Sequence, residues 1–106
     1  MERYPLSHKE ENCGETDARY YLAPKLQNCK PGKIIDSIEE CEKASNDLDL
    51  TYGTAVTEVI LPAGCHRIGS RLTQFNTILN PDETIPSAFD DNVAICRCLG
   101  TFNQQY

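Results

Sequence analysis

Six cysteines in a chain of 106 residues constrain the fold of this protein more than any other feature. They are Cys13, Cys29, Cys41, Cys65, Cys96 and Cys98, and no two form a Cys-x-x-Cys pair. An even number of cysteines in a short chain is typical of a disulfide framework, and disulfides persist in oxidising compartments. The pattern therefore predicts disulfides throughout and an extracellular or organellar lumenal location.

The apolar content predicts a thin hydrophobic core. Leu, Ile, Val and Phe together account for 23 of the 106 residues, and there is no Trp. That share lies close to the roughly 20% below which charged chains tend to stay disordered. Three disulfides at about 2–4 kcal/mol each are comparable to the whole net stability of a domain, about 5–15 kcal/mol. We therefore expect a single stapled domain that unfolds on reduction.

The charge balance limits the classes of partner. The chain carries 10 basic and 16 acidic residues, a net charge of −6, and so lacks the basic surface that nucleic-acid binding requires. Its apolar runs are too short to insert into a membrane. The start of the chain lacks the apolar stretch of a secretory signal, so a secreted protein would begin here in mature form with an added Met. The alternative is that Met1 is native and the thiols are reduced.

The chain divides into two parts. Residues 1–12 are polar and predict an N-terminal arm, and residues 13–106 are expected to form the stapled domain.

Periodicity predicts one helix near the start of that domain. Ser37 stands three residues before Glu40, the spacing of a capping box in which each side chain bonds the other residue's backbone amide. The apolar stripe that follows consists of Ile38, Cys41, Ala44 with Ser45, and Leu48. Cys41 should therefore face the core, and the glutamates a solvated surface.

The remaining patterns predict β-structure. Residues 18–24 predict a strand or a packed loop, 55–61 a strand that follows a break at Tyr52-Gly53, and 93–99 a closing strand. A hairpin is expected around Gly69-Ser70, before a long loop that runs from 80 to 92. The predicted fold is α+β: a small disulfide-rich domain with one amphipathic helix packed on an antiparallel β-sheet.

Five short motifs resemble a known family. They are Cys-Lys-Pro-Gly at 29–32, Ile-Asp-Ser-Ile-Glu-Glu-Cys-Glu-Lys-Ala-Ser at 35–45, Leu-Pro-Ala-Gly-Cys-His at 61–66, Gln-Phe-Asn-Thr at 74–77 and Ile-Cys-Arg at 95–97. Over residues 29–98 they resemble small cysteine-rich extracellular modules that are common in dinoflagellates, diatoms and other microalgae. The family is largely without assigned activity. The chain departs from its pattern at His66, where Tyr is usual, and before Phe75, where an aromatic residue is common.

The resemblance, taken with the expected geometry, suggests one disulfide pairing among the 15 that six cysteines allow. It implies a bond between helix and sheet, a bond from the start of the helical region to the last strand, and a bond that holds the N-terminal segment. These are Cys41–Cys65, Cys29–Cys96 and Cys13–Cys98.

The cysteines and His66 could in principle form a zinc site or a nucleophilic thiol, but the sequence favours disulfides instead. Cys65-His66 and Cys96-x-Cys98 offer zinc ligands, but their spacing is not that of a zinc knuckle. A nucleophilic cysteine needs a free thiolate, which a disulfide removes. His66 is expected to be a strand residue with a half-exposed ring.

Carboxylate pairs are the other candidate chemistry. Asp82-Glu83 and Asp90-Asp91 lie in the predicted loop, where solvation keeps both members of each pair ionised, so a glycosidase arrangement is not expected. The alternating spacing of a calcium loop is also absent. We expect no enzyme activity, no cofactor and no metal site.

The predicted function is therefore non-catalytic recognition. Tyrosines combine an apolar ring with a polar tip and are enriched in protein contacts. The predicted partner-binding residues are Tyr20, Tyr21, Tyr52, Phe75 and Asn76. We expect a secreted or lumenal module that binds a protein or a carbohydrate. The alternatives are a stoichiometric structural subunit of a large assembly, with the arm and residues 102–106 against its neighbours, or a small secreted inhibitor or effector that presents the 80–92 loop.

Overall fold

The structure, a computed structural model, describes residues 13, 19–24, 27–84 and 92–98. Within them, one helix packs on a five-stranded, mostly antiparallel sheet, which confirms the predicted small disulfide-rich α+β domain. The elements are β1 (Tyr20–Leu22), α1 (Ile38–Asp47), β2 (Thr51–Val56), β3 (Gly64–Ile68), β4 (Leu72–Asn76), a 3₁₀ turn (Pro81–Glu83) and β5 (Val93–Arg97). The strand order is β1-β5-β3-β4-β2, in which β2 runs parallel to β4 and the other neighbours are antiparallel.

Helix α1 begins as predicted, but only half of the capping box forms. The Ser37 hydroxyl accepts a hydrogen bond of 3.1 Å from the backbone amide of Glu40. The Glu40 carboxylate does not return to Ser37, because it binds Arg97 of β5. Cys41 is buried on the face that packs on the sheet, as expected, and Ile38 at the first turn is partly exposed.

The end of α1 redirects the chain into the sheet. The Asp49 amide donates to Asn46 O at 3.1 Å and the Leu50 amide to Ser45 O at 2.7 Å. Asp49 has a φ of 63°, the left-handed conformation that closes a Schellman motif and that glycine usually adopts. This compact reversal brings the chain to Thr51, the first residue of β2.

The strand predicted at 55–61 is wrong in position. β2 ends at Val56, and Val59 and Ile60 form a turn. Gly53, interpreted as a break, lies inside β2 at a shift in the register with β4. Pairing with β4 places the strand in the more polar stretch, so tertiary contacts outweigh β-propensity here.

The predicted hairpin is confirmed with one difference. β3 pairs with β4 from Gly64–Asn76 to Ile68–Leu72, so the connection is the three residues 69–71 rather than Gly69-Ser70 alone. Gly69 has a φ of 67°, a conformation that glycine adopts without a Cβ penalty.

The sheet has apolar side chains on both faces. The helix-side core contains Tyr20, Ile35, Cys41, Ala44, Cys65, Phe75 and Ile95. The second cluster, here called the far-side core, contains Tyr21, Ala23, Cys29, Ala94, Cys96 and Cys98. Side chains alternate between the two faces of a strand, which is why neighbours such as Ile95 and Cys96 belong to different cores.

The disulfides confirm the suggested pairing. Cys41–Cys65 joins α1 to β3 inside the helix-side core. Cys29–Cys96 and Cys13–Cys98 join the far-side core across sequence separations of 67 and 85 residues. Three disulfides in so small a domain are typical of an oxidising compartment.

Several expectations fall outside the described residues. They are the arm at 1–12, the loop acids Asp90 and Asp91, and the C-terminal segment 102–106. The inhibitor loop at 80–92 is described only up to Thr84 and again at Asn92.

Candidate functional site

The structure places four of the five predicted partner-binding residues in the interior. Tyr20 and Phe75 pack in the helix-side core and Tyr21 in the far-side core. Asn76 is fully buried, whereas Tyr52 is only partly buried at the margin of the helix-side core. Burial removes the four from direct contact with a partner, and Tyr52 alone of the five keeps accessible surface.

Asn76 has a structural task that sequence analysis missed. Its Nδ2 donates to Glu58 O at 2.7 Å, Pro62 O at 3.0 Å and Leu61 O at 3.3 Å. Its Oδ1 accepts from the Glu58 and Ile78 amides, each at 3.2 Å. A primary amide both donates and accepts, so this one side chain bonds backbone groups at both ends of the segment 58–62. Asn76 thus holds residues 57–61, here called the apolar turn, against the end of β4.

The apolar turn presents two large β-branched side chains to solvent. Val59 is 54% exposed and Ile60 43% exposed. Beside them, the hydroxyls of Thr57 and Thr77 lie 2.6 Å apart and fasten the near end of the turn. Turns usually contain Gly, Asn, Asp or Pro, so the conformation of the turn does not explain why Val and Ile occupy it.

The strand that leads into the apolar turn is an open edge of the sheet. Within the described part of the chain, β2 pairs with β4 alone. The Thr51 amide donates to Arg71 O and the Thr77 amide to Val56 O, both at 2.8 Å, so Thr51 and Val56 direct these groups toward the sheet. Backbone groups alternate along a strand, and those of Tyr52 and Ala55 therefore point outward. The Ala55 carbonyl receives only a 3.5 Å contact from the Thr54 hydroxyl.

Among the described residues, this edge has little of the usual protection against another strand. Residues 50–57 contain no charged residue and no proline, and Gly53, Thr54 and Ala55 are exposed. Native edge strands normally carry lysine, proline, an inward charge or a covering segment. A β-bulge is another such device, and β2 has one in the register shift at Gly53. The backbone approaches β4 closely there, since a Cβ on Gly53 would lie 3.1 Å from Thr73 O. The outer side of β2 and the apolar turn together form a continuous surface, the 51–61 surface.

A partly buried ion pair joins α1 to β5. Arg97 Nε donates to both oxygens of Glu40 at 3.0 and 2.9 Å, and Nη2 donates to Glu40 at 2.6 Å and to Asp36 at 3.0 Å. These bonds raise the pKa of Arg97. Burial, with the charge of Glu40 second, raises the pKa of Tyr20 to about 12, and the Tyr20 hydroxyl lies 3.3 Å from Glu40. Glu40, Arg97 and Tyr20 therefore join α1 to β5 and β1. The prediction that Glu40 lies on a solvated face is wrong, because its carboxylate is partly buried against Arg97.

A shallow depression of about 340 Å³ lies next to this ion pair. Its described lining includes Pro31, Ile34, Leu79, Asp36 and Arg97. Asp36 and Arg97 bind each other at 3.0 Å, so the charged groups of the depression are engaged in the fold.

His66 differs from its expected half-exposed state, because it is fully buried in β3. Its Nδ1 lies 3.2 Å from Gly64 O, and Nε2 has no hydrogen-bond partner. Burial lowers the pKa of His66, so the ring is neutral at pH 7. Its neighbour Cys65, like all the cysteines, is bonded in a disulfide, so a zinc site or a nucleophilic thiol at Cys65-His66 has no thiolate. The residues that the structure describes contain no cluster of three or more potential metal ligands.

Of the described helices, none has the length and apolar character that a membrane span needs. Comparison with models of protein families, with curated proteins and with solved structures finds no match for this chain.

Proposed function

We propose that the protein is a non-catalytic, disulfide-stapled module that binds another protein outside the cell or in an organellar lumen. The observation that carries the proposal is the open edge of β2, which continues directly into the apolar turn. The proposal includes kinship with the cysteine-rich extracellular modules of microalgae, which the cysteine motifs at 29–98 support.

An open edge favours a protein partner over a carbohydrate. Unpaired backbone amides and carbonyls at 4.7–4.9 Å strand spacing suit an extended main chain, which adds a strand and gains a ladder of hydrogen bonds. The exposed Val59 and Ile60 side chains offer apolar contact at one end of that ladder. Sugar recognition would call for several exposed rings, and of the predicted partner-binding rings only Tyr52 is partly accessible, since Tyr20, Tyr21 and Phe75 are buried.

The rigidity of the 51–61 surface also supports a binding role. Asn76 fixes the turn through five hydrogen bonds to its backbone and to Ile78. The Cys41–Cys65 disulfide fixes α1, which packs against β2, to the sheet. A surface that is ordered before binding loses less conformational entropy when the partner arrives.

The proposal is tested by blocking the edge without disturbing the sheet. Ala55→Pro removes an amide that points away from β4, and proline is tolerated at such edge positions, so the fold should persist. Ala55→Val retains the amide and serves as the matched control. Peptides selected from a displayed random library on the oxidised protein should bind the Val variant and lose at least tenfold in affinity on the Pro variant. Selected peptides that bind both variants equally, or a selection that yields none, would contradict the proposal.

A further inference from the structure

We propose that the segment which adds to β2 is an extended, uncharged and β-branched stretch of about six residues with lysine or arginine on both sides. This inference rests on the proposed function and specifies the chemistry of its partner. Both ends of the open edge carry acidic residues, while its middle carries no charge.

The acidic residues at the two ends of β2 are held in place by the Schellman motif at one end and by Asn76 at the other. Asp49 is exposed two residues before β2, at the left-handed position of the Schellman motif. Glu58 is exposed two residues after β2, and both of its backbone polar groups bind Asn76. The two carboxylates therefore lie at opposite ends of a rigid six-residue strand, which spans about 20 Å.

Further acidic residues add negative charge near the N-terminal end of β2. Asp47 closes α1 just before Asp49. Burial raises the pKa of Tyr52, and the negative charge of Glu42 raises it further. A carboxylate of α1 therefore lies close enough to act on the second residue of β2. Arg71, whose carbonyl accepts the Thr51 amide, brings one positive charge to the same end. Acidic groups outnumber it there, so the end attracts a cation.

The middle of the edge selects small polar or β-branched neighbours. Gly53, Thr54 and Ala55 are exposed and carry little side-chain bulk. A partner strand with Val, Ile or Thr would cover them and would pair well across the strands. Opposite-charge pairs at the two ends would then set the position of the partner along β2.

The same charges disfavour a second copy of this chain as the occupant. If two β2 strands pair antiparallel along their full length, Thr51 lies opposite Val56 of the second copy. That register places Asp49 opposite Glu58 at both ends. Like charges directly opposite each other destabilise a strand pair, and each copy also carries a net charge of −6.

The test uses two synthetic peptides with an alternating Val-Thr core of six residues, one flanked by two lysines at each end and the other by two glutamates. The oxidised protein should bind the lysine peptide about tenfold more tightly, a difference that 0.5 M salt and the double variant Asp49→Asn/Glu58→Gln should each reduce to about threefold or less. The amides of Tyr52 and Ala55 should become protected from hydrogen exchange in the complex.

The possible outcomes separate this inference from the function on which it rests. Equal binding of the two peptides, with protection of Tyr52 and Ala55, would overturn the charge rule and leave the edge as a binding site. Binding without protection of these amides, or no binding of either peptide at about 1 mM, would overturn both. A dimer that forms at increasing concentration and is lost in Ala55→Pro would overturn the inference in favour of a second copy.

Discussion

The two edges of the sheet are built in different ways. β1 has three residues, Tyr20 and Tyr21 are buried, and the neighbouring β5 carries one end of the Cys29–Cys96 disulfide. β2 has six residues, all exposed or partly exposed, and contains no cysteine. Hydrogen bonds from Asn76 and β4 hold its end in place.

Sequence distance explains the difference. β1 and β5 lie more than 70 positions apart in the chain, whereas β2 and β4 are about 20 apart. Closing a long loop costs more chain entropy than closing a short one, and a cross-link removes that cost from folding. Two of the three disulfides, Cys29–Cys96 and Cys13–Cys98, therefore lie where segments distant in sequence meet, and the β2 edge carries no cross-link.

The strongest way to break the cross-linked side is to remove its central disulfide. Cys29→Ala/Cys96→Ala should lower the free energy of unfolding by roughly 3 kcal/mol, because the enclosing Cys13–Cys98 disulfide remains and limits the chain entropy that is released. The matched variant Cys41→Ala/Cys65→Ala, with a separation of 24, should also cost roughly 3 kcal/mol. Guanidinium unfolding measures both, and complete reduction should abolish the cooperative transition. A loss below about 1 kcal/mol for the first variant would contradict this account of the cross-linked side.

On the hydrogen-bonded side, the largest effect is expected from Asn76→Ala. The change leaves the buried backbone groups of the apolar turn without partners and should cost about 3 kcal/mol. It should also weaken peptide binding, since the turn loses its fixed shape. Asn80→Ala is the control, because Asn80 is exposed and its side chain accepts one bond, from the Asp82 amide at 3.0 Å; it should cost about 1 kcal/mol or less. Equal losses in the two variants would show that Asn76 does not hold the turn.

The Glu40–Arg97 ion pair sharpens the comparison, because it adds a polar contact between α1 and β5 on the cross-linked side. A double-mutant cycle with Glu40→Gln and Arg97→Met should give a coupling of about 1.5 kcal/mol, as expected for a bidentate, partly buried pair. In Glu40→Gln the pKa of Tyr20 should fall from about 12 but stay above 10, since burial is the larger cause of its shift. Absorbance titration of tyrosinate measures this pKa, and an unchanged value would contradict the Tyr20–Glu40 contact.

The smallest expected effect is the contribution of His66, in strand β3, to the pH dependence of the free energy of unfolding. The pKa of buried His66 is lowered, so below about pH 6.5 the unfolded chain binds a proton that the folded chain does not. Stability contributed by the neutral ring is complete above that pH and falls by at most about 1.4 kcal/mol per pH unit below it. His66→Gln should show a shallower loss between pH 7 and 5.5 in chemical unfolding. Parallel curves for the two proteins would exclude His66 as the cause.

Local signals predicted the elements that depend on neighbouring residues. Ser37 caps α1 because its hydroxyl is three residues from the amide it binds, and Gly69 marks the hairpin because its φ is positive. The pairing of the cysteines followed from the resemblance of their motifs. Asp49 carried a signal that was missed, since Asp tolerates the left-handed conformation at a helix end.

Contacts between distant residues could not be predicted in this way. Glu40 and Arg97 are 57 positions apart, and nothing near either residue indicates the other. The run Val59-Ile60-Leu61 predicts a strand by propensity, but the Asn76 side chain converts it into an exposed turn. The same side chain, predicted to meet a partner, is buried and instead bonds backbone groups of Glu58, Leu61 and Pro62.

The sequence by itself determined that the chain would be a small, acidic, cross-linked α+β domain, because cysteine number, charge and helical periodicity are properties of the chain alone. The tertiary structure decided which strand became the open edge. Strand order depends on how both faces of the sheet are covered, by α1 on one and by the far-side core on the other, and on the parallel pairing of β2 with β4. Such pairings are set by packing over the whole molecule, and no local pattern encodes them.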